Sequence, residues 1–227
     1  MPMRSIEELM TVDEPALPIL QSWVASSSRR VELLPTEPSA GERTLLALQV
    51  TARSMLGAVA LHTAGLLVDG GWLRILGAGG DRLPRDVVTW NGITTDHRRL
   101  PGAVLVADDA LGGFFAINGD AFDGPTGNVW YLAPDTLAWE DCGMGHADWL
   151  HWVCTGDLTG FYESMRWPGW QDEVASLDTG CALSIYPFLF AKGDPIERRS
   201  RRPVPIDELW HLYAIELPQQ LGSERPP

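Results

Sequence analysis

The segment VLVADDALGGFFAING, residues 104–119, limits the possible folds more than any other part of the sequence. Two apolar stretches flank a short connection with two adjacent aspartates, Asp108 and Asp109, and two adjacent glycines, Gly112 and Gly113. Aspartates bond readily to their own backbone and glycines tolerate positive φ, so both suit a tight turn between antiparallel strands. The segment therefore predicts a β-hairpin whose apolar residues enter the core.

Asp108 and Asp109 also allow a catalytic interpretation, because paired carboxylates can act as general acid and base when their surroundings separate their pKa values. Adjacent residues of a strand point to opposite faces, so both would face one site only if the chain turned between them. We therefore favour the structural interpretation. We still expect one of the two to face a partner, and we expect Asp109→Asn to change binding while leaving the fold intact.

Further strands are predicted on both sides of the hairpin. GAVALHTA (57–64) and LLVDGGWLRIL (66–76) are typical of strands, and the second contains a turn or bulge at Asp69-Gly70-Gly71. NVWYLA (128–133) and LAWEDC (137–142) flank a Pro134-Asp135-Thr136 turn. Strands joined by such turns form an antiparallel meander.

Helical patterns occupy both ends of the chain. Residues 5–11 and 14–28 are typical of short helices, and Ser5 and Glu8 have the spacing of a capping box. An apolar stripe with helical spacing runs over residues 146–165, where Asp157 can cap a second helix. Helices followed by strands and then helices predict an α+β fold, with an antiparallel-rich central sheet and N- and C-terminal helices.

The chain length of 227 residues suits a single domain. We expect residues 1–217 to form one α+β domain on which a helical segment, residues 1–50, packs, and we expect 218–227 to be a disordered tail. No apolar run reaches the roughly 18 residues of a membrane span, and the N-terminus lacks the apolar core of a signal peptide. Three widely spaced cysteines imply no disulfide framework. These features predict a cytoplasmic protein.

The net charge of −13 restricts the partners of the chain. Nucleic acid and anionic membranes would repel such a protein, whereas a basic protein would be attracted to it. Solubility alone is the simpler explanation of the charge. The one basic stretch, KGDPIERRSRR (192–202), has five Lys and Arg against two acids, and we expect it to be a solvated loop before the last helix.

Familiar catalytic and metal-binding motifs are missing from the sequence. The spacing of Cys142, His146, His151 and Cys154 matches no common structural zinc pattern. The chain has no G-x-S-x-G nucleophile elbow, and WLRILGAGG lacks the full G-x-G-x-x-G of a phosphate-binding loop. We therefore predict no catalytic residues, no metal and no cofactor.

Polar and aromatic residues near the predicted loops favour an alternative function, that of a small-molecule-binding protein or hydrolase. Loops on a rigid sheet are where binding pockets usually occur. The pocket would lie at the 72–91 and 108–114 loops. Its candidate binding residues are Trp72, Arg74, Trp90, Asn91, Asp108 and Asp109.

Ten tryptophans make the chain unusually rich in this residue. Most lie among aliphatic residues and are expected in the core. Exposed tryptophans in MRWPGW (165–170) would favour an oligomer contact, since aromatic residues are enriched at interfaces. The sequence leaves the oligomeric state open.

The central third of the chain resembles the SUKH superfamily. Members carry an acidic, glycine-bearing hairpin similar to VLVADDALGGFFAING, then a strand pair and a helix similar to NVWYLAPDTLAWEDCGMGHADWLHWV (128–153). A longer pattern, including LQVTARSMLGA (48–58), resembles an uncharacterised bacterial family without an established activity. The positions that match the SUKH pattern are Asp108, Gly113, Phe115, Val129, Tyr131, Asp135, Thr136, Trp139, Trp149 and Leu150.

The SUKH resemblance implies an α+β fold. For many bacterial members it also implies binding and neutralising a toxin, often a nuclease or a deaminase. Together with the acidity and the missing catalytic motifs, it predicts a non-enzymatic protein-binding module of the immunity type. The expected partner is a basic protein such as a toxin.

Overall fold

Seven strands form one antiparallel sheet in a computed structural model that describes residues 3–223 of the chain. Each strand pairs with its neighbours in the sequence, the usual arrangement for consecutive strands. The hairpin predicted over 104–119 is confirmed, because the strand Ala103–Asp109 pairs with the strand Phe114–Asn118. The strands are β1 Val31–Leu34, β2 Gly65–Val68, β3 Leu73–Leu76, β4 Ala103–Asp109, β5 Phe114–Asn118, β6 Asn128–Leu132 and β7 Trp139–Gly145.

A second, two-stranded antiparallel sheet contains β8 Cys181–Tyr186 and β9 Ser200–Pro205. The Leu183 N–H donates to the Ala110 carbonyl over 2.7 Å and so joins this sheet to the β4–β5 turn. The loop predicted over 192–202 is therefore wrong at its end, since residues 200–202 belong to β9 and Arg202 pairs with Ser184. Strand pairing uses backbone groups, so charged side chains such as those of Arg201 and Arg202 do not prevent it.

Helices cover both faces of the large sheet and confirm the predicted α+β fold. The face that carries Ile75 and Phe115 packs against α2, α4 and α6, and we call it the α6 face. The face that carries Leu105 and Phe114 packs against α5 and α9, and we call it the α9 face. The helices are α1 Ile6–Met10, α2 Leu17–Ser26, α3 Pro38–Leu48, α4 Met55–His62, α5 Val87–Asn91, α6 His146–Thr155, α7 Leu158–Phe161, α8 Trp170–Ala175, α9 Ile206–His211 and α10 Leu217–Ser223.

The segment 57–64, predicted as a strand, lies mostly in helix α4 instead. The Ser54 hydroxyl accepts a hydrogen bond from the Gly57 N–H over 2.9 Å and caps this helix. Residues 57–61 are all buried, so the helix has no polar face. A short apolar run without a polar face does not distinguish a buried helix from a buried strand, which explains the error.

The predicted N-terminal caps of two helices are confirmed. Ser5 and Glu8 form the capping box of α1, and the Asp157 carboxylate accepts from the Gly160 N–H at the start of α7. The tail that we expected to be disordered from residue 218 contains most of helix α10, which continues to Ser223. Residues 1–2 and 224–227 lie outside the described residues. None of the described helices combines the length and the apolarity needed to cross a membrane.

Candidate functional site

Asp108 lies inside the protein and forms ion pairs with two arginines. Arg74 faces it across the β3–β4 pairing, with Arg74 Nε 2.7 Å from Asp108 Oδ1. Arg85, from the loop before α5, reaches the same carboxylate with Nη2 3.2 Å from Oδ1. The Arg74 and Asp108 side chains are 1% and 0% exposed. Two cations therefore neutralise a carboxylate that has no contact with water.

Arg74 also joins the two sheets. Its Nη2 donates to the Asp109 carbonyl over 2.7 Å, and its Nη1 donates to the carbonyls of Thr179 and Cys181 at the start of β8. Burial lowers the pKa of Arg74 from its ordinary value, and the negative charge of Asp108 opposes this shift. These contacts leave no free face on the guanidinium for a ligand.

The Asp109 carboxylate holds the β4–β5 turn together. Oδ1 accepts from the N–H groups of Leu111 and Gly113, both over 2.9 Å. Oδ2 accepts from the hydroxyls of Tyr131 and Tyr162 over 2.7 and 3.1 Å. Burial raises the pKa of Asp109, and the Tyr131 hydrogen bond opposes the shift. With four donors and 0% exposure, Asp109 is part of the core rather than a base open to substrate.

Asp108 and Asp109 therefore point to opposite faces of the sheet. Asp108 lies with Arg74 and Arg85, whereas Asp109 lies with the tyrosines of the α6 face. The two aspartates stand at the turn between β4 and β5, where the structural interpretation places them, and they do not share one site. Neither carboxylate reaches the surface, so the expectation that one of them faces a partner is wrong.

Trp90 and Asn91 lie on α5, against the α9 face of the sheet. The Asn91 amide donates to the carbonyls of Val87 and Leu105 over 2.8 Å, and its oxygen accepts from the Leu105 N–H over 2.7 Å. These bonds tie α5 to β4. The Trp90 ring is only 7% exposed, and the Arg99 guanidinium lies 3.8 Å from its centroid.

Trp72 belongs to an aromatic cluster on the α6 side of the sheet. Its ring centroid lies 4.9 Å from that of Trp170 and 5.4 Å from that of Tyr162. The Arg166 guanidinium lies 4.8 Å from the Trp72 centroid and 4.1 Å from that of Trp170. Arg166 also pairs with Asp69 over 2.7 Å. The Arg166 guanidinium therefore lies over the rings of the cluster, and Trp72 is 0% exposed.

The six predicted site residues therefore fall into separate groups. The structure brings together Arg74, Asp108 and the backbone of Asp109, places Trp90 and Asn91 on α5, and sets Trp72 in the aromatic cluster. Their exposed fractions are between 0% and 7%. They do not line one open pocket at the 72–91 and 108–114 loops, because the side chains that suggested the pocket fill the interior.

An open cleft of about 940 Å³, which we call the acidic cleft, lies beside Arg166 and Trp170. Asp69 and Gly70 form part of its floor with left-handed backbone (φ 50° and 72°), and a Cβ on Gly70 would meet nothing within 4 Å. Three exposed carboxylates, those of Asp157, Glu163 and Asp172, line the same cleft.

The charges around the acidic cleft are unbalanced. Its two arginines are already paired, Arg166 with Asp69 and Arg30 with Glu32. None of the carboxylates of Asp157, Glu163 and Asp172 forms an ion pair with another part of the described chain. The cleft therefore presents three carboxylates without an ion-pair partner to solvent, and its lining has four carboxylates against two arginines.

A second cavity, of about 840 Å³, lies on the α9 side of the sheet, and we call it the arginine cavity. Trp90 and Arg99 border it on one side, and the helix that contains Trp210 borders it on the other. Arg98 and Arg202 line it as well. Trp90 is thus the one predicted site residue at either of these two openings.

The sequence cluster of two cysteines and two histidines over 142–154 does not converge. No group of three or more His, Cys, Asp and Glu side chains within residues 3–223 is arranged to hold a metal ion. His151 packs on Trp23, with ring centroids 4.8 Å apart, whereas His146 stacks on Trp149. Desolvation lowers the pKa of His146 to about 4, so this ring is neutral at pH 7.

Sequence reasoning missed the residues that line the two openings. Arg166 lies in MRWPGW, which we considered as an exposed aromatic contact, but Trp167 is 4% exposed and Trp170 is half-buried. Arg166 and Asp69 are separated by 97 residues, and Arg99 and Asp207 by 108. The only local signal was an arginine close to tryptophans, a frequent cation–π combination.

Comparison with known proteins identifies the family. A family model described as protein of unknown function DUF2625 matches residues 6–209. The chain is 40% identical to the putative uncharacterized protein YbfG of Escherichia coli K12 over 212 residues, 92% of this chain and 95% of that protein. It is 35% identical to an uncharacterized protein of Haemophilus influenzae over 208 residues, 90% and 91% of the two chains. No solved structure matches significantly. Because the family model and both relatives cover nearly the whole chain, it belongs to the DUF2625 family.

Proposed function

We propose that the chain is a non-enzymatic protein-binding module of the immunity type, which captures a basic protein such as a toxin through the acidic cleft. The observation that carries the proposal is the set of three exposed, unpaired carboxylates around one cleft (Asp157, Glu163 and Asp172). Lysine and arginine side chains of a partner would supply the missing positive charge. The SUKH resemblance of the central third, with its toxin-neutralising members, supports the same function.

Electrostatics favour a basic partner over other classes. A net charge of −13 attracts a cationic protein over the Debye length of about 8 Å and speeds encounter with it. Nucleic acid and anionic membranes are repelled by the same charge. The cleft then adds local pairing to this long-range attraction. We propose a cytoplasmic location, which fits three free cysteines.

The alternative of a small-molecule-binding protein or hydrolase with a pocket at the 72–91 and 108–114 loops has less support. Arg74, Asp108 and Asp109 use their polar atoms within the core. A substrate would have to displace these contacts to reach them. The protein-binding function needs no such rearrangement, because the carboxylates of the acidic cleft already face solvent.

Capture of the partner by the full-length chain tests the proposal. The wild type and the triple variant Asp157→Asn/Glu163→Gln/Asp172→Asn are immobilised, and proteins retained from the host lysate are identified by mass spectrometry. Asn still caps α7, so the variant should fold. We expect a basic protein that binds the variant at least about tenfold more weakly than the wild type. We also expect the wild type to restore growth of cells in which that protein is toxic.

A matched control removes three exposed carboxylates elsewhere, with Asp13→Asn, Glu42→Gln and Asp123→Asn. It has the same net charge as the cleft variant, so general attraction falls equally in both. Equal affinity of the two variants for the partner would disprove a role for the cleft. Retention of an acidic partner, or of none, would disprove the proposed function.

A further inference from the structure

The arginine cavity has the size and composition of a small-molecule site. Its volume of about 840 Å³ lies within the range of about 300–1,000 Å³ that is usual for ligand pockets. Such pockets combine an apolar lining with a few polar groups that orient the ligand. Here Val204, Leu212 and Ile215 provide apolar surface, and Ile215 is 36% exposed without a covering element.

Arg99 is held rigidly at the edge of this cavity. Its Nε donates to the Trp90 carbonyl and its Nη1 to the Asp207 carboxylate, both over 2.6 Å. The guanidinium lies 3.8 Å from the Trp90 centroid and 5.9 Å from that of Trp210. Stacking and pairing fix the side chain, so it forms a wall of the cavity and not a free cation.

Two further arginines line the cavity without a partner. The side chains of Arg98 and Arg202 form neither a hydrogen bond nor an ion pair with other described residues. Among the lining carboxylates, Asp207 pairs with Arg99 and Glu208 has no ion-pair partner. Glu216 contacts His211, which carries a charge only when it is protonated. Three arginines and three carboxylates line the cavity, so the positive charge open to a ligand is local to the free guanidiniums of Arg98 and Arg202.

The helical wall of the cavity is irregular. Residues Leu212–Glu216 form a π turn, in which the Leu217 N–H donates to the Leu212 carbonyl. Pro218 explains the irregularity, because it has no N–H for the Ala214 carbonyl and its ring would clash there in a regular helix. A π turn widens a helix locally and is frequent at functional sites. Here it sets Leu212 and Ile215 on the cavity wall.

We propose that the arginine cavity binds a small organic anion, a carboxylate or a phosphate ester with an apolar body. Arg98 and Arg202 hold the anionic group, and the apolar body lies on Val204, Leu212 and Ile215. This site is independent of the acidic cleft, which lies on the other side of the sheet. The proposal therefore does not rest on the proposed function.

Calorimetric titration of the full chain tests the proposal with defined probes. Benzoate and phenyl phosphate represent the two anionic groups, and benzyl alcohol is the uncharged control. We expect at least one anion to bind with a Kd below about 1 mM and benzyl alcohol to bind at least about tenfold more weakly. Comparison of the two anions identifies the preferred group. Equal binding of benzyl alcohol and both anions, or no binding of either anion, would overturn the proposal.

Variants assign the binding to the cavity. Arg98→Ala/Arg202→Ala removes two exposed side chains and should weaken anion binding at least about tenfold. Arg198→Ala, an exposed arginine of the same basic segment that does not line the cavity, should change it less than about twofold. Ile215→Ser should weaken the binding of both benzoate and phenyl phosphate, because the apolar body of each lies on Ile215. Equal loss in the double variant and in Arg198→Ala would show that general charge, not the cavity, binds the anion.

Discussion

The Asp109 carboxylate satisfies four donors at once, two backbone N–H groups and two tyrosine hydroxyls. We expect Asp109→Asn to lower the free energy of unfolding by about 2 kcal/mol, because an amide N–H₂ then faces donors instead of accepting from them. This replaces the sequence-based expectation that the substitution would leave the fold intact. Urea denaturation measures the effect, with the exposed Asp123→Asn as control. An unchanged midpoint for Asp109→Asn would contradict the assignment.

The raised pKa of Asp109 makes the stability of the protein depend on pH. Burial lifts this pKa above the ordinary value of 3.8, so the folded protein holds the proton more tightly than the unfolded chain. The wild type therefore loses stability as the pH rises from 3.8 through the raised pKa. Asp109→Asn lacks this titration. We expect the stability difference between wild type and variant to be larger near pH 4 than near pH 7, and a constant difference would refute this.

The Arg74 guanidinium forms a buried ion pair with Asp108 and donates hydrogen bonds to three backbone carbonyl groups. We expect Arg74→Ala to lower the free energy of unfolding by about 3–5 kcal/mol, because the substitution leaves buried partners without a donor. Arg82→Ala, which breaks an exposed pair with Glu32, should cost less than about 1 kcal/mol. Guanidinium denaturation of both variants provides the comparison. Similar costs would mean that the buried pair contributes no more than a surface pair.

Helices α3 and α4 approach each other through a glycine. A Cβ on Gly41 would lie 1.9 Å from the Leu61 carbonyl oxygen. Alanine favours helix over glycine by about 1 kcal/mol, yet we expect Gly41→Ala to destabilise the protein by about 1–3 kcal/mol through this clash. Ser39→Ala, at an exposed position of α3, should change stability by less than about 0.5 kcal/mol. Thermal denaturation that shows Gly41→Ala to be neutral or stabilising would contradict the close approach.

Local patterns predicted most of the elements. The β4–β5 hairpin could be predicted because its turn residues and flanking apolar strands lie within 16 positions. The capping box of α1 and the cap of α7 are similarly local. Helix α4 could not be predicted, because it is buried on all sides and its short apolar sequence is compatible with either a helix or a strand. β9 was missed in part because its pairing with β8 depends on a distant backbone.

The candidate surfaces could be predicted far less well than the fold. Arg74 and Asp108 were chosen as polar residues near loops, but the β3–β4 register turns them into a buried pair. The acidic cleft depends on Asp69 meeting Arg166 across 97 residues. Such contacts follow from the packing of whole elements, which no short motif encodes. The overall acidity was visible in the sequence, but its concentration at the cleft was not.

The large sheet separates the two openings, which lie on its α6 and α9 sides. Groups that are far apart and share no partners usually contribute independently to the free energy. We therefore expect saturation of the arginine cavity with phenyl phosphate to change the affinity for the captured basic partner less than about twofold. Calorimetry with and without the anion measures this. A change of tenfold or more would show that the two sites are coupled through the sheet.

The sequential order of the seven strands has a consequence for synthesis on the ribosome. Each strand can pair with its predecessor soon after it emerges, so the sheet can grow in the direction of translation. Arg74 is different, because the Thr179 carbonyl that it binds is made 105 residues later. In a nascent chain that stalls before that point, Arg74 lacks the carbonyl groups of Thr179 and Cys181 to which it donates in the complete fold. Completion of the sheet interior therefore waits for the C-terminal third of the chain.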